Sequence, residues 1–142
     1  MANILAIDYG EKRLGLALAD ENLKISLILK PILNKTENEV LKEIADICIK
    51  KNIKKIVIGL PLSLNFQETV KCQKIRNFSE KIKKLVKVEI VFENEVFSTK
   101  AARNIQKSLK NRKNKTKKNA KEERNHFDSQ AAAIILDSYL RK

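Results

Sequence analysis

The stretch Asn3-Ile4-Leu5-Ala6-Ile7-Asp8-Tyr9-Gly10-Glu11-Lys12-Arg13-Leu14-Gly15-Leu16-Ala17-Leu18-Ala19 decides the fold class. Residues 3 to 8 are apolar at consecutive positions, as expected of a central strand covered on both faces. Tyr9 to Lys12 form a plausible turn. Residues 13 to 19 then alternate, with Leu14, Leu16 and Leu18 on one face and Gly15, Ala17 and Ala19 on the other. Together these segments predict a hairpin. Asp8 ends the first strand, where an ionised carboxylate is costly to bury without a cation, a metal or strong hydrogen bonds. It is either such a ligand or a turn residue capping Gly10 to Lys12.

Outward from the hairpin, a third strand is predicted over Ile25 to Leu33, with Pro31 tolerable only at a sheet edge. From Thr36 to about Lys51, Val40, Leu41, Ile44, Ala45 and Cys48 recur at helical spacing, and Thr36 with Glu39 forms a capping-box pattern. Lys55 to Leu60 is a short buried strand ended by Pro61. Ile75, Phe78, Ile82 and Leu85 mark a second helix, and Val88 to Phe92 a fifth strand. Ser98 can cap a helix to about Leu109, and Asp128 to Leu140 is a strongly apolar last helix. The order is βββαβαβαα. A three-stranded meander followed by βα units implies an α/β fold: a five-stranded mixed sheet, antiparallel in its first three strands and parallel later, with helices on both faces.

The 142 residues fit one domain spanning 1–142, and 43% hydrophobic content is enough for one core. No apolar run approaches the roughly 20 residues of a membrane helix. The opening MANILAIDYG reads as a strand rather than a secretory signal, so a cytoplasmic location is expected. Cys48 and Cys72 lack CxxC spacing and read as buried thiols. His126 is the single histidine, which argues against most zinc hydrolases; any metal must rely on oxygen ligands.

Thirty Lys and Arg against 17 Asp and Glu give a net +13, which implies a polyanionic partner such as nucleic acid. Between Lys107 and Arg124 nine basic residues, Arg112 and Lys113 among them, face two acidic ones. This segment is either a flexible basic loop over about 110–124 that binds substrate or a solvated run enlarged by the chain's Lys and Asn bias.

Two further carboxylates stand out. Ala131, Ala132 and Ile135 follow Asp128 at i+3, i+4 and i+7, which places Asp128 on the packed face of the last helix, unless it serves as that helix's N-cap. Glu95 follows the fifth strand and precedes a helix, where α/β sheets place ligand sites; Glu93 and Asn94 beside it are similar in type.

These residues resemble motifs of the YqgF/RuvX family of pre-16S rRNA nucleases and Holliday junction resolvase-like proteins, over nearly the whole chain. Asp8 to Ala17 resembles the opening DxGxKRxGxA, and Ala19-Asp20 the following (S/A)D. Ile58-Gly59-Leu60-Pro61-Leu62 is similar to VGLPL, Asn94 to Thr99 to DERxTT, and Asp128 to Leu136 to DxxAAxxIL. Two departures are visible. Asn94 and Val96 replace the Asp and Arg that flank the family's Glu, and Ser63-Leu64-Asn65-Phe66 stands where NMDG is usual.

The resemblance implies an RNase H-like nuclease that matures the 5′ end of small-subunit ribosomal RNA. Asp8, Glu95 and Asp128 would be its catalytic residues and metal ligands, holding two Mg2+ or Mn2+ ions about 4 Å apart. Lys12 and Arg13 would position the substrate backbone. Ser98 and Thr99, at a helix N-terminus, would receive a phosphate oxygen. Phosphate contacts made by the family's missing Arg would pass to Lys100 or to the basic loop with Arg112 and Lys113. The expected partners are precursor rRNA, branched DNA and the small-subunit precursor, with the chain a monomer or weak homodimer. Two alternatives differ. A Holliday junction resolvase of the RuvC type carries an acid where this chain has Gly59-Leu60, and resolution needs a symmetric dimer. An RNA-binding assembly factor would keep the fold without cleavage. A sugar kinase or actin-like ATPase would need a longer, duplicated domain.

Overall fold

The computed structural model describes residues 3–23, 25–33, 35–63, 65, 67–94 and 130–141. Strand β1 (Asn3–Asp8) turns back through residues 9–12 into β2 (Arg13–Asp20), which pairs antiparallel with it from Asn3 against Asp20 to Asp8 against Gly15. β3 (Ser26–Leu33) adds antiparallel to β2, and α1 (Glu37–Lys50) carries the chain back to β4 (Ile53–Leu60), parallel to β1. After α2 (Val70–Leu85), β5 (Glu89–Asn94) lies parallel to β4. The sheet order β3-β2-β1-β4-β5 puts β1 at the centre and Pro31 on an edge strand, where its missing N–H leaves no ladder bond unmade. Residues 130–140 form a further helix, α3. The helix expected from Ser98 and the basic segment to Arg124 lie outside the described residues.

The capping box predicted at α1 is present. The Thr36 hydroxyl accepts from the Glu39 backbone N–H at 3.3 Å, and the Glu39 carboxylate accepts from the Thr36 N–H at 3.4 Å. At the other end Asn52, with φ of 52°, turns the chain into β4; the left-handed region favours glycine, and asparagine is among the few other residues that adopt it readily.

β1 explains its own unbroken apolar sequence. Leu5 and Ile7 enter the core under α1 and α2, with Leu16, Ile44, Ile58, Ile75 and Ile82. Ile4 and Ala6 enter the opposite core under α3, with Ala17, Val57, Ala132, Ile135 and Leu136. The sheet is therefore covered on both faces, as the sequence implied. Ala132 and Ile135, expected on the packed face of the last helix, are buried there. Strand limits move by a residue or two, β4 starting at Ile53 and β5 running on to Asn94.

Both cysteines are free and buried. Burial pushes the Cys48 thiol up to about 11, and the Cys72 thiol donates to the Pro61 carbonyl at 3.2 Å. Among the described residues no helix is long and apolar enough to cross a membrane.

Two outcomes follow from this packing. Ile58, with no exposed surface, should lose about 2 to 5 kcal/mol of stability on replacement by Ala, read as a lowered urea midpoint with little change in slope. Since the thiolate is the reacting species, Ellman's reagent at pH 8 should label the folded chain far more slowly than the chain in urea; equal rates would contradict the buried placement of both thiols.

Candidate active site

The site is built where β1 runs out of apolar residues. Side chains alternate along a strand, so Asp8 shares its face with Ile4 and Ala6, the face covered by α3, while Tyr9 packs with the core under α1 and α2. Asp8 is half-buried. Its partner on β2 is Gly15. On β4, Ile7 pairs with Ile58, so the next position along, Gly59, flanks Asp8 on the other side. The central carboxylate thus has a glycine on each neighbouring strand, and no side chain from either crowds its face.

The row continues to β5, where Gly59 pairs with Glu93. At a strand spacing of about 4.8 Å, Asp8 and Glu93 stand roughly 10 Å apart across the side-chain gap of Gly59. Glu93 is only 4% exposed, and the Ser138 hydroxyl of α3 donates to it at 3.0 Å. Two other bonds join α3 to the sheet. Ser26 donates to the Asp137 carboxylate at 2.9 Å, and Lys55 donates to the Tyr139 hydroxyl at 2.6 Å, which holds the Lys55 ammonium above its ordinary range.

Glu93 is the residue that sequence reasoning passed over. It was weighed beside Glu95 only as a carboxylate of similar type. The signal that singles it out is register: only the pairing with Gly59 puts it in the row of Asp8.

The turn after Asp8 is tight. A Cβ on Gly10 would lie 2.5 Å from the Arg13 carbonyl oxygen, too close for any other residue without a shift of backbone. This turn brings Lys12, exposed, and Arg13, half-buried, beside Asp8. It is tied to α2 by the Glu11–Lys74 ion pair, which holds the Glu11 carboxyl below and the Lys74 ammonium above their usual ranges. The Tyr9 ring meets Phe78 with centroids 5.0 Å apart, and burial, followed by Glu37 and Glu11, raises its hydroxyl pKa.

Of the residues expected to carry function, the described ones are Asp8, Lys12 and Arg13, and these share one turn. Glu95, Ser98, Thr99, Lys100, Arg112, Lys113 and Asp128 lie outside the described residues. Among the described residues no three His, Cys, Asp or Glu side chains form a cluster able to hold a metal ion. The donor type nevertheless suits a hard divalent cation: Asp8 offers carboxylate oxygens on a face kept open by Gly15 and Gly59.

Known proteins share this architecture. A family model described as "RuvX: Holliday junction resolvase" matches residues 2–142. A protein of Fusobacterium nucleatum named "Putative pre-16S rRNA nuclease" is 36% identical over 99% of this chain and 97% of its own length. One of the same name from Malacoplasma penetrans is 39% identical over 98% of this chain and 94% of its own. Among solved structures, RuvC of T. thermophilus in complex with a Holliday junction substrate superposes with a TM-score of 0.55 at 10% identity, covering 99% of this chain and 94% of that one. A fowlpox virus resolvase bound to Holliday junction DNA does so with 0.59 at 12% identity, covering 98% and 97%. The fold is thus RuvC-like and RNase H-like, and the chain belongs to the RuvX family.

Proposed function

We propose that this chain is a divalent-metal-dependent endonuclease that trims the 5′ end of precursor 16S ribosomal RNA in the cytoplasm. The observation that carries the reading is Asp8, an acid at the end of the central strand, set between two glycines on the face that α3 covers. The names of its relatives, which cover nearly all of both chains, point to the RNA.

In this reading Asp8, Glu95 and Asp128 hold Mg2+ or Mn2+, a pair of ions in the fullest form of the chemistry. Such cations, when bound, lower the pKa of water and offset charge developing on a phosphodiester. The chain's own groups do the rest. Lys12 and Arg13, presented by the Gly10 turn, hold the backbone phosphates next to Asp8. Ser98, Thr99 and Lys100 take further phosphate oxygens, and Arg112 and Lys113 draw the polyanion in from a distance. Glu93 acts through Ser138, fixing α3 against the sheet and with it the approach of Asp128.

The RuvC-like fold and the family description favour, as a second reading, cleavage of branched DNA. Gly59 weighs against it, because it leaves the end of β4 without the acid that resolvases of that type carry there.

Asp8→Asn and Asp128→Asn should each lower Mg2+-dependent cleavage of a 5′-extended 16S precursor roughly 100-fold or more, equivalent to about 2.7 kcal/mol, while leaving affinity for the RNA intact. EDTA should abolish cutting and Mn2+ restore it. Undiminished cleavage by both variants would remove the metal reading. A four-way junction cut in preference to the precursor would transfer the activity to DNA, and binding without cutting by the wild type would leave an assembly factor.

The double variant Arg112→Ala, Lys113→Ala should flatten the plot of log affinity against log salt by about 1.4 for single-stranded RNA, since each neutralised phosphate contributes about 0.7. An unchanged slope would take the basic segment out of the contact.

A further inference from the structure

Beside the Gly10 turn, on the face opposite Asp8, lies a cavity of about 130 Å3. Its floor is apolar, formed by Ile32, Val40 and Phe78, and Tyr9 supplies an aromatic wall held against Phe78. Lys12 and Arg13 stand on the rim. The two acids of the rim, Glu11 and Glu37, are each ion-paired outward, to Lys74 and Lys81, so they do not cancel the positive charge at the mouth. An apolar cavity of about 150 Å3 holds one benzene ring, so this one has room for a single flat ring and not for two fused ones. A concave apolar floor with an aromatic wall and a few convergent polar groups is the usual make-up of a small-ligand site.

We propose that this cavity is a base subsite: it receives one unstacked pyrimidine of the single-stranded substrate, stacked on Tyr9, while Lys12 and Arg13 hold the adjoining phosphate. The inference rests on the nucleic-acid substrate proposed above and adds to it a preference at one nucleotide. Three features select this occupant. The volume excludes purines. The cationic rim fits a group attached to phosphate rather than a neutral metabolite. Tyr9 follows Asp8 directly in the chain, so a base seated here belongs to a nucleotide at or next to the phosphate held at Asp8. Stacking of a base on an aromatic side chain tolerates any base, and so the discrimination comes from the walls.

The test uses the full chain without divalent metal, so that binding is read apart from cleavage. Fluorescence anisotropy compares decamers of U, of A, and of U with abasic positions. The wild type should bind the U decamer about tenfold more tightly than the other two. Val40→Phe, which fills the cavity from its floor, should remove that preference and leave affinity for the abasic decamer unchanged. Because a core variant can fold poorly, the second measurement uses the wild type alone: uridine 5′-monophosphate should shift the Tyr9 ring resonances, and ribose 5-phosphate should not. Equal affinity for U and abasic decamers, or Tyr9 signals that respond identically to both phosphates, overturns the subsite. Absence of cleavage on every substrate together with an intact uridine preference would overturn the nuclease reading and leave the subsite standing.

Discussion

The structure depends on one conflict of solvation, a carboxylate at the end of the most buried strand of the sheet. β1 is central and covered on both faces, and four of its six side chains are all but inaccessible. Apolar burial on that scale is the main stabilising term in a domain of this size. An ionised group can join such a strand only at its tip, where water, a cation or hydrogen-bond donors compensate it. Asp8 occupies that tip, and what surrounds it follows. The strands on either side present glycines, the chain turns at once through Gly10, and Lys12 and Arg13 arrive on the same turn.

The same row of the sheet shows how a helix is aligned to a site through a strand that carries no functional group. Gly59 contributes an absence, and across it Glu93 accepts from Ser138 of α3. The helix is also bonded to β3 through Ser26 and to β4 through Lys55. Polar anchors of this kind contribute modestly to stability, about 1 kcal/mol each, but they fix orientation, which apolar contact alone leaves loose. A nuclease whose acids come from distant parts of the chain needs such orientation more than it needs stability.

Electrostatics divides the molecule. Most ion pairs of the described surface are exposed and worth little individually. The excess of cations, by contrast, acts collectively on a polyanion. At the Gly10 turn the two scales meet: Glu11 and Glu37 are paired away toward the helices, and Lys12 stays at the mouth of the cavity.

Much of this was legible in the sequence. Apolar residues at every position of 4–7, strict alternation over 13–19, Pro31, and the Thr36 to Glu39 box are local signals, and each states which face is buried or where a helix begins. They determined the class, the hairpin, the edge strand and the helix cap, and the motif at Asp8 pointed to a nuclease family. Glu93 illustrates what they left undecided. Its neighbours in the chain are Phe92 and Asn94, and nothing local sets it apart from Glu95. Its partners, Gly59 and Ser138, stand 34 and 45 residues away. Likewise the cavity under Tyr9 needs Ile32, Val40 and Phe78 from three elements to close. Periodicity along a chain specifies faces, because it reflects the local geometry of one strand or helix. Only strand register and helix packing decide which faces meet, because those are set by the fit of the whole core.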